Sequence, residues 1–233
     1  MTGVVAVVQA RMSSQRFPGK MLAELGGKSL IDWVLARVLV AHELSEVVLA
    51  TSTNVQDDAL VDQAIQHGVT IFRGSETDVL ERFVQALTRS KAELVVRICA
   101  DNPFVAPEEV DRLVSAFKSG EYDYACNHQQ RLMNKYADGF GAEILSVELL
   151  RKISAIATEP SHREHVTSYL WDNQQEFRLY AVEAPSALAF PDVRLDVDTS
   201  EDLSRLDSFV EQFEITTDSS AAQIVAAYNK FSR

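Results

Sequence analysis

The sequence has few of the residues that mark disulfide-rich, disordered or secreted proteins. It contains two cysteines, Cys99 and Cys126, which lie far apart and outside any Cys-x-x-Cys pattern. A disulfide scaffold and a paired-cysteine metal or redox motif are therefore excluded. Nine glycines and six prolines in 233 residues are typical of an ordinary globular protein with little disorder. These absences favour a reducing compartment, and we expect a cytoplasmic protein.

Long apolar runs are also missing. The run at residues 3–8 is short, has no basic segment before it and is soon followed by Arg11, whereas a signal peptide or a membrane span needs a longer apolar stretch. The run therefore predicts a buried strand, and we expect no membrane insertion.

Positive charge is in deficit. The chain carries 22 lysines and arginines against 34 aspartates and glutamates, which gives a net charge of −12. Because binding to a nucleic-acid backbone needs a clustered basic surface, nucleic acid is not an expected partner. In this acidic background, a local group of Arg and Lys would indicate a pocket for a small anionic substrate.

The first half of the chain alternates between strand and helix patterns. Short β-branched runs predict strands at residues 4–8, 47–51, 69–72 and 94–98. Apolar residues at helical spacing lie between these runs, and a helix is predicted at residues 107–117. Such alternation predicts right-handed βαβ units and a parallel sheet covered on both faces. No linker divides the chain, so we predict a single domain over residues 1–233.

After Gly120 the predicted elements are shorter. The pattern predicts strands at residues 124–127, 142–145, 177–182 and 193–197, and helices at residues 147–156, 162–173, 201–211 and 221–231. The segment from about residue 122 to 173 interrupts the alternation. It forms a small insert in which Tyr136, Phe140 and Trp171 lie among polar residues.

A basic loop follows the first strand. Arg11, Arg16 and Lys20 lie directly beyond the carboxyl end of that strand, where ligands bind in open α/β sheets. Forked Arg donors and a Lys point charge suit a polyphosphate, although the spacing is not that of a Walker A motif. From charge alone, a solvated basic loop is the other interpretation.

Two carboxylates have positions suited to a magnesium site. Asp101 follows the strand at residues 94–98, and Asp198 lies in a turn before a helix. An acidic group beside phosphates is repulsive unless a cation lies between them, and Mg²⁺ is held by one or two carboxylates plus substrate oxygens. The alternatives are that Asp101 caps a turn, that Asp198 starts the helix, and that Asp196 is the second ligand.

Five segments resemble a known family. They are residues 9–20, 50–52, 72–80, 97–103 and 196–203. Their order and spacing are similar to those of the cytidylyltransferases of the spore coat polysaccharide biosynthesis protein F group and, more distantly, of the CMP-Kdo and CMP-sialic acid synthetases. The resemblance spans nearly the whole chain.

The resemblance implies a fold and an activity. The fold is an α/β, Rossmann-like nucleotide-binding three-layer sandwich of the sugar-nucleotide transferase type, with a mostly parallel central sheet and a small insert. The activity is transfer of CMP from CTP to a small anionic acceptor, a sugar acid or a sugar phosphate, with release of pyrophosphate, in cell-surface polysaccharide biosynthesis. Arg11 and Lys20 are then the first phosphate ligands and Arg16 the next, while Asp101 and Asp198 bind Mg²⁺.

The resemblance also implies a nucleotide site. In relatives the turn at residues 73–78 and the Ala-Thr-Ser turn line the base and ribose, although residues 75–78 also suit a helix cap. The predicted nucleotide-binding residues are Gln9, Ala10, Arg11, Arg16, Lys20, Thr51, Arg73, Gly74, Ser75 and Asp78, and the predicted catalytic residues are Arg11, Lys20 and Asp101.

The acceptor site is predicted from two further segments that resemble the spore coat group, at residues 136–143 and 162–165. They imply that Glu143, Arg163 and His165 bind the acceptor, although a helix rich in charged residues is often only a salt-bridged surface. In related synthetases the insert supplies the dimer contact. We therefore expect a homodimer in which the partner covers the aromatic residues of the insert. The alternative is that these residues fill a core within one chain.

Two rival classes of function match parts of the pattern. A glycosyltransferase would keep a metal-binding Asp-x-Asp, which Asp196 and Asp198 match superficially, but that fold does not explain the basic loop. A regulatory module that binds nucleotide without turnover has no need of Arg11, Lys20 and the two predicted metal ligands together.

Overall fold

A computed structural model describes residues 3–128 and 132–232 of the chain. Its strands are β1 Val4–Gln9, β2 Glu24–Leu25, β3 Lys28–Ser29, β4 Glu46–Ser52, β5 Thr70–Gly74, β6 Leu94–Cys99, β7 Tyr124–Cys126, β8 Glu143–Ser146 and β9 Leu179–Ala181. Seven of these strands form one sheet in the order β5-β4-β1-β6-β8-β7-β9, and β2 pairs with β3 in a separate ribbon.

The sheet is mostly parallel, as predicted. β1 lies between β4 and β6 and runs parallel to both, with Val7 opposite Val48 on one side and Arg97 on the other. Only β8 is reversed in the sheet, since it pairs antiparallel with both β6 and β7. The carboxyl ends of β1, β4, β5 and β6 therefore meet at one edge, to which the chain brings its loops.

Helices cover both faces of the sheet. They are α1 Leu30–Val38, α2 Asp58–Gln66, α3 Val79–Ala86, α4 Pro107–Ser119, α5 Val147–Ile156, α6 Pro160–Glu164, α7 Ser168–Asp172, α8 Ser200–Phe213 and α9 Ala221–Phe231. None of the helices in the described ranges is long and apolar enough to cross a membrane.

The three layers follow from the alternation of side chains along β1. Val4, Ala6 and Val8 belong to a core with residues of α1, α4 and α8, whereas Val5 and Val7 belong to a second core with residues of α3, α5 and α7. Successive strand residues point to opposite faces, so a run that is apolar throughout needs cover on both sides. The predicted α/β three-layer sandwich is confirmed.

The predicted helix at residues 162–173 is wrong. The chain forms two short helices there, α6 and α7, separated by His165, Val166 and Thr167. Val166 and Thr167 are β-branched and buried, and the Thr167 hydroxyl donates to the Glu143 carboxylate at 3.1 Å. This buried hydrogen bond and the low helix propensity of β-branched residues explain the break.

The predicted strand at residues 193–197 is also wrong. The segment makes one isolated bridge, between Asp138 and Arg194. Its backbone amides bond instead to loops, for example from Val197 to the Asp101 carbonyl at 2.8 Å. An extended connector results, which carries Asp198 to the carboxyl edge of the sheet.

The aromatic residues of the insert are buried within the chain. Tyr136 is 3% exposed, Phe140 0% and Trp171 6%, and the Trp171 ring meets the Tyr124 ring edge-on at 5.2 Å. The expectation that a partner chain covers these aromatics is therefore wrong, because packing within one chain already removes them from water. Strands β7 and β8 place much of the insert in the main sheet.

Candidate active site

A cavity of about 540 Å³ opens at the carboxyl edge of the sheet, where β1 and β6 end. Its lining includes Arg11, Arg16, Lys20, Asp101 and Asp198. The structure thus brings together the predicted phosphate and magnesium ligands. A second cavity, of about 370 Å³, lies between residues 132–135 and 181–189 and is lined by none of the predicted site residues.

Lys20 is the buried cation of the larger cavity. Its Nζ donates to the Val197 carbonyl at 2.7 Å and lies 4.0 Å from Asp101 Oδ2 and 3.8 Å from Asp198 Oδ1. The preceding Gly19 has φ of 77°, a left-handed conformation that glycine adopts without strain. The turn it makes places the lysine between the two carboxylates.

The paired carboxylates suit a divalent cation. Burial raises the pKa of Asp101; Lys20 opposes this rise, and the nearby Asp198 adds to it. Both carboxylates lie within 4.0 Å of the Lys20 Nζ, and Asp198 also pairs with Arg16. Within the described residues, no third His, Cys, Asp or Glu completes a metal-binding group. A Mg²⁺ ion held here would take its remaining ligands from substrate oxygens and water.

Asp196 and Asp198 point in different directions. Arg194 donates to both carboxylate oxygens of Asp196, at 2.9 and 2.8 Å, and Asp196 does not line the cavity. Thr199 caps α8, since its side chain accepts the Asp202 amide. Asp198, which precedes the cap, faces Lys20.

The two arginines of the loop are held by oxygen atoms. Arg11 Nη1 donates to the Glu76 carbonyl at 2.9 Å, and its Nη2 lies 3.1 Å from a Glu164 carboxylate oxygen. Arg16 is more exposed and lies 2.9 Å from Asp198 Oδ2. Triphosphate oxygens could replace these partners without changing the type of contact.

The buried Asp57 side chain holds the basic loop after β1 in place. This buried carboxylate accepts the Met12 amide at 2.8 Å, the Thr51 hydroxyl at 2.7 Å and both the amide and the hydroxyl of Ser52. Burial alone would raise the pKa of Asp57, but these hydrogen bonds lower it below its ordinary value. The predicted nucleotide ligand Thr51 thus points to Asp57 and supports the loop.

The turn at residues 73–78 lies beside this loop. Arg73 donates to the Ser52 and Asn54 carbonyls and pairs with Asp58 at 2.6 Å. Asp78 caps α3, since its side chain accepts the Glu81 amide, and Ser75 Oγ accepts the Asp78 amide at 3.0 Å. The capping role that residues 75–78 suited is therefore present. None of Thr51, Arg73, Gly74, Ser75 and Asp78 lines the cavity.

The turn and the loop are joined through Glu76. Its carbonyl oxygen accepts a hydrogen bond from Arg11, and its carboxylate accepts hydrogen bonds from the Ser13 hydroxyl and the Asn54 side-chain amide. The same turn receives Arg82 from α3, whose Nη1 donates to the Ser75 carbonyl at 2.7 Å. A shift of either segment would therefore move the other.

The three predicted acceptor residues lie in different places. His165 lines the cavity beside Glu164, at the carboxyl end of α6. Arg163 turns away: it donates to Asp78 Oδ2 at 2.7 and 3.0 Å and to the Ser154 carbonyl at 2.7 Å. It ties α6 to α3 and α5. Glu143 is 0% exposed and lies beneath the cavity.

Glu143 binds Arg97, which the sequence analysis missed as a site residue. Arg97 Nη1 donates to Glu143 at 2.6 Å, and Tyr124 Oη donates to the same carboxylate at 2.8 Å. Burial alone would raise the pKa of Glu143, but the Arg97 charge, followed by His128 and these hydrogen bonds, lowers it to about 2. Arg97 in turn lines the cavity.

Of the residues that the sequence analysis missed, Arg97 had a signal in the sequence. Arg97 is a charged residue inside the apolar β6 run, and it lies opposite Glu143, which the sequence analysis did predict as a site residue. A charge in a strand buried on both faces needs a partner or a ligand. Asp57 lies near other acidic residues and Glu164 lies between Arg163 and His165, so nothing local separates either from a solvated surface.

Comparisons with known proteins agree with this geometry. A cytidylyltransferase family model matches residues 5–231. The chain is 34% identical to the spore coat polysaccharide biosynthesis protein SpsF of Bacillus subtilis (strain 168), covering 99% of this chain and 95% of the relative.

Solved structures give the same result. A cytidylyltransferase from Leptospira borgpetersenii superposes with a TM-score of 0.91 at 27% identity, over 99% of this chain and 95% of that one. The structure of CMP:2-keto-3-deoxy-manno-octonic acid synthetase complexed with CTP superposes with a TM-score of 0.67 at 20% identity, over 92% of this chain and 100% of that one, which shows a shared fold. The chain therefore belongs to the cytidylyltransferase family.

Proposed function

We propose that this cytidylyltransferase transfers CMP from CTP to a small anionic acceptor, a sugar acid or a sugar phosphate, with release of pyrophosphate. The observation that carries the proposal is the position of Lys20, between Asp101 and Asp198 and beside the loop that bears Arg11 and Arg16. Such a site combines fixed cations for a triphosphate with carboxylates for a metal ion.

The names of similar proteins support the class of acceptor. One relative is named for spore coat polysaccharide biosynthesis, and one structural neighbour is named as a synthetase of a CMP-linked keto-deoxy sugar acid and holds CTP. By extension, we propose a role in cell-surface polysaccharide biosynthesis.

The proposed mechanism is in-line attack by an acceptor oxygen on the α-phosphorus of CTP. A new oxygen–phosphorus bond forms, the bond to the bridging oxygen breaks, and pyrophosphate leaves with that electron pair, while a hydroxyl acceptor releases its proton to water. Arg11 and Lys20 stabilise charge on the α-phosphate and on the leaving group. Asp101 and Asp198 would hold Mg²⁺, which supplies charge neutralisation and aligns the phosphates. Catalysis is then mainly positioning and electrostatics.

The rival functions have less support. The glycosyltransferase hypothesis needs an Asp-x-Asp pair that shares a metal, but Asp196 pairs with Arg194 outside the cavity. The hypothesis of a module without turnover gives no reason for a buried lysine between two carboxylates beside a basic loop. A homodimer and a cytoplasmic location remain predictions.

A nucleotide panel tests the specificity. With Mg²⁺ present, CTP should raise the melting temperature more than UTP, ATP or GTP. At a concentration of 100 Kd the expected stabilisation is about 2.7 kcal/mol. K20M should lose most of this gain, whereas K118M, which removes an equal charge from a surface pair with Glu43, should keep it. A larger shift with another triphosphate would refute the preference for CTP.

A further inference from the structure

Arg97 is the cavity-lining cation that the triphosphate loop does not supply. Among the described residues, Arg11, Arg16, Lys20 and Arg97 are the arginines and lysines that line the cavity. The first three lie in the loop after β1, whereas Arg97 lies within β6, on the side of the cavity toward β8. A ligand group that meets Arg97 therefore differs from the phosphates that meet the loop.

The orientation of the Arg97 guanidinium is fixed from beneath. Its Nη1 donates to Glu143 at 2.6 Å, and Glu143 is held in turn by Tyr124 Oη and the Thr167 hydroxyl. The arginine side chain is 12% exposed and the glutamate side chain 0%. A buried, charge-assisted contact of this kind leaves the guanidinium little freedom to rotate.

The opposite edge of the guanidinium is only weakly satisfied. Nε and Nη2 both point to a single acceptor, Gln9 Oε1, at 3.4 and 3.3 Å. Charge-assisted N–H···O contacts are ordinarily 2.7–2.9 Å, and this edge of an arginine matches the two oxygens of a carboxylate. The single neutral Gln9 oxygen therefore makes two long contacts with an edge of the guanidinium that could bind both oxygens of a carboxylate.

We propose that the Nε–Nη2 edge of Arg97 binds the carboxylate of the acceptor and that the Gln9 amide is displaced when the acceptor enters. The inference rests on the proposed function for the identity of the acceptor, and it selects the sugar acid over the sugar phosphate. Arg97 lies four residues before Asp101 on the same strand and its following turn. The acceptor would thus approach from the β6–β8 side, while the loop after β1 holds the triphosphate.

The test uses Cys99, which lies two residues from Arg97 on the same face of β6 and lines the same cavity. Iodoacetate carries a carboxylate, and iodoacetamide is its neutral counterpart. Either reagent forms a bond from sulfur to the methylene carbon as iodide leaves. Because the same thiol reacts in both cases, the ratio of the two rates at Cys99 cancels any change in thiol ionisation. Peptide mass spectrometry separates Cys99 from the buried Cys126.

In the wild-type chain we expect iodoacetate, relative to its rate with free cysteine, to label Cys99 about tenfold faster than iodoacetamide, as a charge-assisted hydrogen bond implies. R97K keeps the charge beside Glu143 but loses the fork, so the preference should fall to near one. Q9A removes the competing amide and should keep or increase the preference. R16Q removes a charge from the same cavity without touching the fork and should retain most of it.

Two results would overturn the inference. One is equal labelling by the two reagents in both the wild-type chain and Q9A; if neither reagent labels Cys99, the acceptor kinetics of R97K decide instead. The other is a preference that survives in R97K, because a general positive potential would then explain it. If R97K does not fold, the comparison of wild type, Q9A and R16Q still shows whether Cys99 is labelled faster by iodoacetate than by iodoacetamide.

Kinetics separate this inference from the proposed function. With 2-keto-3-deoxy-manno-octonic acid as the acceptor, R97K should raise the acceptor KM about tenfold and leave the CTP KM unchanged. If the sugar acid is accepted and its KM is unchanged in R97K, the binding site at Arg97 is refuted and the proposed function still stands. Labelling as expected, with phosphates accepted and sugar acids refused, supports an anion fork at Arg97 but contradicts its assignment to the acceptor carboxylate.

Discussion

Asp101→Asn should lower turnover about a thousandfold and leave the chain folded. A bound metal contributes several kcal/mol of transition-state stabilisation, and each 1.36 kcal/mol changes the rate tenfold. The side chain of Asp101 is 39% exposed, so the substitution opens no core cavity. The raised pKa of Asp101 also means that its ionised form does not stabilise the folded chain, so its loss should not lower the melting temperature. Pyrophosphate release from CTP with Mg²⁺ and acceptor measures the rate, and a thermal melt checks the fold.

Asp198 and Asp196 provide the comparison for this variant. D198N should behave like D101N, because Asp198 also faces Lys20. D196N, two residues away, should keep near wild-type turnover, since Asp196 pairs with Arg194 outside the cavity. Wild-type turnover by D101N, or equal losses in D101N and D196N, would contradict the metal assignment.

Glu143→Gln should lower the free energy of unfolding by about 3 kcal/mol at pH 7. The folded pKa of Glu143 is about 2, below its ordinary value of 4.5. A lowered carboxyl pKa stabilises the folded chain fully above pH 4.5, and this contribution is lost as the pH falls toward 2. The gap between wild type and E143Q should therefore shrink across that range. Urea unfolding at pH 7, 4.5 and 3 measures it.

Glu109 is a control with the opposite sign. It is also buried, but burial raises its pKa, although Arg112 opposes the rise. A raised carboxyl pKa gives stability that is present at low pH and lost as pH rises, so any deficit of E109Q relative to wild type should grow on acidification. A gap between wild type and E143Q that stays constant from pH 7 to 3 would show that Arg97 does not hold Glu143 ionised.

The sequence predicted the cavity edge because strand ends converge there. In a parallel sheet, residues that follow β1 and β6 must meet at the carboxyl edge, so Arg11, Lys20 and Asp101 could be placed together from the order of elements alone. Placing Asp198 at this edge required the family resemblance, since the segment before it is an irregular connector and not the predicted strand.

The acceptor side was harder to predict because its contacts are made between distant segments. Arg163 belongs to a matching motif, yet Asp78, 85 residues earlier, holds its guanidinium. The break between α6 and α7 depends on Thr167 reaching Glu143, 24 residues away. Helical periodicity describes neighbours along the chain and carries no information about such long-range partners.

The transfer of CMP is tested most directly by following the phosphates of CTP. Two samples of CTP, one labelled with ³²P at the α-phosphate and one at the γ-phosphate, are incubated with the chain, Mg²⁺ and a panel of sugar acids and sugar phosphates. The account predicts that the α-label appears in a CMP-linked product and the γ-label in pyrophosphate, in equal amounts and only when an acceptor is present. Release of the γ-label as orthophosphate, or an α-label that never reaches any acceptor, would contradict it.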